Sequence, residues 1–480
     1  MVSASEFEAE TKKPQVAVLS SPGMGHVIPL FVMAKGLVTQ HGLHVSFLNV
    51  TTEASAAQYQ LLHSPDLPSG LEIVDLPMVD LSNLVDGNTP VLTRLSLNVQ
   101  ESFRCLKTLL VNLNPNLLII DLFCTQAFDV CNELSIPVYT FFTPPTHLLA
   151  FSLFLPKLDR DVEGEFVDLP EPVQVPGCSS IRTEDLLDQV RNRKIDEYKW
   201  FLYHLSRVKM AAGIFLNTWE DLEPVSIRAI RDLPFYQQIP TPTVYPVGPI
   251  IKETEPMTEE CGAWLDQQPS DSVLYIALGS GGTLTSEQQI ELAWGLEMSK
   301  QRFIWVVRMP SDACASASFF NVGSDPNDPE SYLPEGFLER TRETGLVVPS
   351  WAPQVAILEH ASIGAFLSHC GWNSILESLA NGVPIIGWPL YAEQRMNATM
   401  LAEDVGVGIK AVGGRESGSV IGRNEIAKVV RKTMEGEEGK VLRAKARELK
   451  ESASKALEVG GSSYQSLAIL ANQWKAKFTI

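Results

Sequence analysis

The sequence predicts an α/β fold made of two doubly wound halves, and three observations carry that prediction. Short apolar runs alternate with helical patterns in two successive series, which is the rhythm of parallel sheets. At 480 residues the chain exceeds what one ordinary core holds, so two domains are expected. Between the two series lies Thr241 to Thr258, where Pro242, Pro246, Pro249 and Pro256 mark a linker. Residues 1–240 then form an N-terminal half and residues 259–480 a C-terminal half.

The first series opens with Gln15 to Ser20 (QVAVLS), a buried strand, and the turn Ser21-Pro22-Gly23-Met24-Gly25. A helix is expected from about His26 to Gln40, then a strand from His44 to Val50 and a shorter one from Leu71 to Leu76. Pro90 to Leu113 has helical periodicity and should end near Asn114-Pro115. Leu117 to Ile120 is a strand that delivers Asp121 to its carboxyl end. A helix near Thr125 to Leu134 and a strand from Val138 to Phe142 follow. Thr143 to Pro240 is mixed, partly helical and rich in aromatic residues. Open α/β sheets bind ligands at the carboxyl ends of their strands, where His26 and Asp121 both stand.

In the second series the strands are Val273–Leu278, Phe303–Val307, Leu346–Val348, Gly364–Leu367 and Pro384–Gly387. Met309 to Pro334 reads as a surface loop. Asn424 to Met434, Gly439 to Ala456 and Tyr464 to Trp474 read as closing helices, the last able to pack back on the first half.

Composition excludes several classes. A formal charge of −19 argues against nucleic acid or an anionic membrane as partner. No apolar run approaches the roughly 18 residues of a membrane span, and the polar start from Met1 to Gln15 has no signal-peptide core. Seven cysteines without close pairs point to reduced thiols in the cytoplasm. Cysteine and histidine spacing offers no metal site, since His360 and His369 lack partner ligands.

Gly23-Met24-Gly25-His26-Val27-Ile28 invites a dinucleotide reading, but Ile28 stands where a third glycine belongs. No acidic residue ends the second strand either, so a dehydrogenase is set aside. His26 alone reads equally as a residue that packs or caps a helix start, and Asp121 as an N-cap. Together, at two strand ends of one sheet, they form an oriented general base. Leu278 to Thr283 (LGSGGT) is a glycine turn whose amides suit a phosphate. Asp159-Arg160-Asp161 follows no clear strand and reads as a solvated charge run.

The most informative stretch is Trp351 to Gln394. Its centre, Gly364 to Ser374 (GAFLSHCGWNS), is a strand, a turn and a helix start, where backbone N–H groups and the helix dipole favour phosphate. Ser374-Ile375-Leu376-Glu377 also reads as an ordinary capping box. Over its 44 residues this stretch resembles the secondary-product box of plant family 1 UDP-dependent glycosyltransferases. The sequences PGMGHVIPL, FLPKLD, YPVGP, WLDQQPSDSVLYIALGSGGTL and LPEGFLERT extend the resemblance over nearly the whole chain, toward the group acting on small phenolics.

That resemblance implies a GT-B fold, two Rossmann-like domains facing across a cleft. It also implies inverting, metal-independent transfer from UDP-glucose as a substrate, with no cofactor, and a monomeric enzyme is expected. By position, Trp351 would stack on uracil, Ala352 would meet its edge, and Gln354 and Glu377 would hold the ribose. Ser280, His369, Asn373 and Ser374 would surround the diphosphate, with Trp372, Glu393 and Gln394 around the sugar. His26 and Asp121 match the catalytic pair. Gln394 is associated with glucose, as opposed to galactose. Two departures stand out: Glu393 replaces the more common Asp, and Thr143-Pro144-Pro145-Thr146-His147 departs from a Pro-Thr-Thr pattern. Phe123, Phe142, His147 and Phe151 follow the fourth and fifth strands and are expected to shape a flat acceptor pocket. Transfer to nitrogen or sulfur, and a non-catalytic nucleotide-sugar binder, are the rival readings.

Overall fold

The computed structural model describes residues 13–312, 315–316, 328–411 and 420–478. The polar start lies outside them up to residue 12, as do residues 313–314 and 317–327 of the expected loop.

The apolar runs of the first series form a parallel sheet of seven strands. These are β1 (Gln15–Leu19), β2 (His44–Val50), β3 (Leu71–Leu76), β4 (Leu117–Asp121), β5 (Val138–Phe142), β6 (Gly213–Leu216) and β7 (Val244–Pro246), in the order β3-β2-β1-β4-β5-β6-β7. The second series gives β8 (Val273–Ala277), β9 (Arg302–Val307), β10 (Gly345–Pro349), β11 (Ile363–Ser368), β12 (Ile385–Gly387) and β13 (Gly408–Lys410), in the order β10-β9-β8-β11-β12-β13. Both are parallel throughout. These are two Rossmann-like domains, each buried on both faces as parallel sheets require.

Alternation along β1 shows how the layers are made. Val16 and Val18 pack on one side with Leu30, Phe31 and Ala34 of the helix Met24–Thr39. Ala17 and Leu19 face the other side, toward Leu95, Val99 and Leu110. In each sheet the strand order reverses beside the first strand, between β1 and β4 and between β8 and β11. Such a reversal opens a crevice at the carboxyl ends.

The last helix, Ser462–Phe478, packs on the first sheet. Leu467, Leu470, Ala471 and Trp474 join Val16, Val18 and Phe215 in one core, and Trp474 Nε1 donates to Tyr139 Oη at 3.2 Å.

Several expectations change. Three strands, β6, β7 and β13, were not foreseen, and β7 lies inside the stretch read as linker: Val244 and Pro246 are buried at the edge of the first sheet, where a proline is tolerated. The run from Pro90 to Leu113 is not one helix but two, Val91–Ser102 and Leu106–Leu113, joined by a 3₁₀ turn at Phe103–Cys105. Its apolar rhythm is unbroken, because Leu95, Val99, Phe103, Leu106 and Leu110 all enter the same core. The first helix starts at Met24, so His26 lies within its first turn, two residues beyond the start. Ser374 to Glu377 is not a capping box, since that helix starts at Trp372 after Gly371. Asp159 is more than a solvated charge: it pairs with Arg193 at 2.8 Å and accepts from Tyr198, while Asp161 pairs with Lys157.

Candidate active site

A cavity of about 800 Å³ lies between the carboxyl ends of the two sheets. Where the walls meet, His26 Nδ1 is 2.8 Å from Asp121 Oδ2. Gly23, with φ of 108°, turns the chain out of β1 and starts the helix that carries His26. Asp121 ends β4 and is fully buried. Ser21 Oγ at 2.7 Å and Phe123 N–H at 3.0 Å donate to its Oδ1, and Thr143 Oγ1 donates to Oδ2 at 3.1 Å. Burial opposes charge on both partners of the pair. The attraction between them outweighs it: His26 is held above its usual 6.5 by Asp121, with help from Glu393, and Asp121 below the usual carboxylate range by His26, Ser21 and Phe123. With Nδ1 fixed on the carboxylate, Nε2 is the nitrogen left for the cavity. The arrangement suits removal of a proton from a bound hydroxyl.

On the facing wall, polar groups from 44 contiguous residues are bonded to one another. Gln354 Nε2 donates to Ser374 Oγ at 3.0 Å and to Glu377 Oε2 at 2.5 Å. Burial pushes Glu377 up to about 7, against the Gln354 bond and the Lys252 charge. His369 is lowered to about 4 by burial and by Arg308, so its ring is neutral at ordinary pH. Glycine gives that ring its room: a Cβ at Gly279 would come within 2.5 Å of it, and one at Gly371 within 2.4 Å. Ser280 and Ala352 line the cavity nearby. Trp351 presents its ring at 45% exposure, with the Lys252 ammonium 4.8 Å from the ring centroid.

The turn Leu390 to Gln394 closes this wall. Gln394 Oε1 accepts from Leu390 N–H at 2.9 Å and Tyr391 N–H at 3.0 Å. Its carbonyl is thereby occupied, and its amide NH₂ is the group left to donate. Burial raises Glu393, opposed by its own backbone N–H and by His26. Contacts cross the cleft here. Asn373 Nδ2 donates to the Gly25 carbonyl at 2.8 Å, and Ala392 N–H donates to Asp188 Oδ2 at 2.9 Å. Trp372 reaches the cavity, but its indole N–H is committed to the Asn217 carbonyl at 2.8 Å.

Residues 198–423 match the family model described as UDP-glucoronosyl and UDP-glucosyl transferase. The hydroquinone glucosyltransferase of Rauvolfia serpentina is 46% identical, over 97% of this chain and 99% of that protein. The chain belongs to the UDP-glycosyltransferase family. Among solved structures, a Polygonum tinctorium UDP-glucosyltransferase capable of glucosylating indoxyl, in complex with 3,4-dichloroaniline, aligns with a TM-score of 0.88. It is 43% identical, over 97% of this chain and 99% of that one. Phytolacca americana UGT2, complexed with UDP-2-fluoro-glucose and pterostilbene, aligns at 0.86 and 42% identity, over 97% of this chain and all of that one. These matches carry the GT-B fold with them.

In this transferase the N-terminal wall of the cavity is largely apolar, lined by Leu92, Leu122, Phe123 and Leu148. Of four residues expected there, only Phe123 arrives, its ring centroid 5.3 Å from that of His26. Phe142 and Phe151 are fully buried in the core behind the wall. His147 is turned away as well, because its helix points its N-terminus at buried Glu223, which accepts from the N–H groups of Thr146 and His147. The strand-end rule finds a carboxyl end but not the face a side chain takes. The same rule applied to β5 would have found Thr143, and applied to β9 it would have found Arg308, which lines the cavity directly after Val307. Asp188, Leu92 and Leu148 carry no local signal and come together only through the fold.

Proposed function

We propose that this transferase moves glucose from UDP-glucose to a hydroxyl of a small aromatic acceptor, inverting the anomeric carbon and using no metal. The observation that carries the reading is the His26–Asp121 pair standing where an apolar wall meets a polar one. The acceptor lies against Phe123 and the leucines, and Nε2 of His26 takes its proton as oxygen attacks. Asp121 orients the imidazole and stabilises the imidazolium. Attack from the acceptor side, opposite the departing diphosphate, gives the β-glucoside. Neutral His369, Ser280, Asn373, Ser374 and the start of the helix Trp372–Ala380 receive the charge on the diphosphate, in place of a cation. Trp351 is the platform for uracil, Ala352 lies at the base's edge, and Gln354 with Glu377 takes the ribose. Glu393 accepts from sugar hydroxyls, whereas Gln394 donates to one, its oxygen being held by its own turn. The six described cysteines are free, in keeping with a reducing cytoplasm.

The decisive experiment supplies UDP-glucose and a panel of phenols in the presence of EDTA. UDP release with a β-configured product is expected, and UDP-galactose should be the poorer donor. Release only after Mn²⁺ or Mg²⁺ is added, or an α-glucoside, would overturn the reading. Aromatic amines are a second acceptor class, favoured by the dichloroaniline held in the Polygonum relative.

A further inference from the structure

Glu197 stands in the first turn of the helix Asp196–Arg207 and lines the cavity beside Leu92, Phe201 and Leu205. Its Oε1 accepts from the Leu92 N–H at 3.3 Å, a long bond that supplies the cap missing at Pro90, where the helix Val91–Ser102 begins. That accounts for one oxygen. Among the described residues nothing donates to the other. No cation among the described residues pairs with it either. Burial acts on it first, then the Leu92 bond, then the neighbouring Asp188, which is itself a carboxylate. Asp188 is engaged by Ala392 N–H and by Arg395, and Lys199, two residues beyond Glu197 and so on another face of the helix, pairs with Asp196. A partly buried carboxylate in an apolar pocket, beside a second carboxylate, is unfavourable unless something donates to it. Glu197 lies on the wall where the acceptor belongs.

We infer that Glu197 is a specificity-determining residue of the acceptor subsite. Its open oxygen accepts from a second hydrogen-bond donor, a hydroxyl or an amine, at the end of the acceptor remote from the hydroxyl facing His26. The same charge repels acceptors that carry a carboxylate there. The inference rests on the proposed use of this cavity for an aromatic acceptor, and it narrows that class to diol-like and aminophenol-like molecules.

The test uses two sets of phenols, one-ring and two-ring, each with a remote hydroxyl, hydrogen or carboxylate, assayed with UDP-glucose at pH 8. In the unmodified enzyme one set or both should rank hydroxyl above hydrogen above carboxylate in kcat/KM. The first step should be about 10- to 100-fold, the range of a hydrogen bond to a charged group. Glu197→Gln keeps an oxygen for the Leu92 N–H, so the helix cap survives. It should compress the whole ranking and raise the carboxylate acceptor about tenfold relative to the unsubstituted phenol, with the KM for UDP-glucose unchanged. Glu197→Leu should abolish the hydroxyl preference. An unchanged ranking in Glu197→Gln at both lengths, or a uniform fall across all three acceptors, would overturn the inference while leaving phenol transfer standing. Absence of transfer to every phenol, the unsubstituted ones included, would remove the proposed function and this inference with it.

Discussion

Gln354, Ser374 and Glu377 on the C-terminal wall of the cleft are bonded to one another before any ligand arrives, whereas Leu92, Leu122, Phe123 and Leu148 on the N-terminal wall offer shape alone. The polar wall needs little reorganisation to receive a nucleotide sugar, because its donors and acceptors already sit on strand ends and helix starts. The apolar wall discriminates weakly, since a methylene more or less in such a pocket changes selectivity only about 10- to 200-fold. The contrast is between a donor wall whose polar groups are already bonded together and an acceptor wall whose selectivity beyond shape falls to Glu197. His26 takes its hydrogen-bond partners Asp121 and Thr143 from its own half and feels the charge of Glu393 from the facing wall, so it is where the two meet.

The sharpest way to separate the walls is His26→Ala. Turnover should fall about 10²- to 10⁴-fold, the usual contribution of a positioned base. UDP affinity, measured by calorimetry, should stay within about twofold, because His26 touches none of the groups proposed for the nucleotide. The loss should shrink as acceptor pKa falls. An equal loss of UDP affinity would mean that the walls do not act independently.

A smaller loss is expected from Asp121→Asn, and its diagnostic readout is the pH profile. Base catalysis needs neutral His26, so activity rises as pH passes upward through the His26 pKa. Asp121 raises that pKa. Removing its charge should therefore move the acid limb of kcat to lower pH while the plateau drops. A limb that stays in place would detach the observed titration from His26.

Next comes Glu377→Gln on the polar wall, expected to raise the KM for UDP-glucose about tenfold with little effect on acceptor ranking. Glu377 is pushed up to about 7, so it ionises as pH rises through neutrality. The donor KM should accordingly fall as pH rises through about 7 in the unmodified enzyme and be flat over that interval in the variant. The smallest effects concern which phenylalanines belong to the apolar wall. Phe123→Leu should reorder acceptors severalfold at constant Tm. Phe151→Leu should lower Tm, a core loss of about 1 kcal/mol, and leave the order alone. A reordering by Phe151→Leu would place it back at the pocket.

These expectations also mark what could be read from the chain. The polar wall was legible because its groups lie within one continuous stretch, and their spacing survives as a pattern: Gln354, His369, Glu377 and Gln394 all reach the cavity. The strands were legible wherever β-branched and apolar residues run together, as in β1, β2 and β8. The three that were missed are short, and each is masked by its surroundings: β6 follows an aromatic helix, β7 contains a proline, and β13 has only Gly-Ile-Lys. The apolar wall was hardly legible at all. It is assembled from loops, helix starts and strand ends, and position along the chain does not say which face of a helix looks inward. Phe123 and Phe151 gave the same local signal, yet one faces the cavity and the other is sealed at 0% exposure.

The return of the last helix to the first sheet bears on how the molecule comes into being. Leu467, Leu470, Ala471 and Trp474 complete a core that begins at Val16. On a ribosome that core stays open until more than 450 residues separating its two ends have been made, and the apolar face around Tyr139 and Phe215 is bare throughout. The N-terminal half therefore finishes last although it emerges first. A nascent chain released before residue 467 should be recognised by chaperones through that face, and the helix Ser462–Phe478 serves as the seal that ends the association.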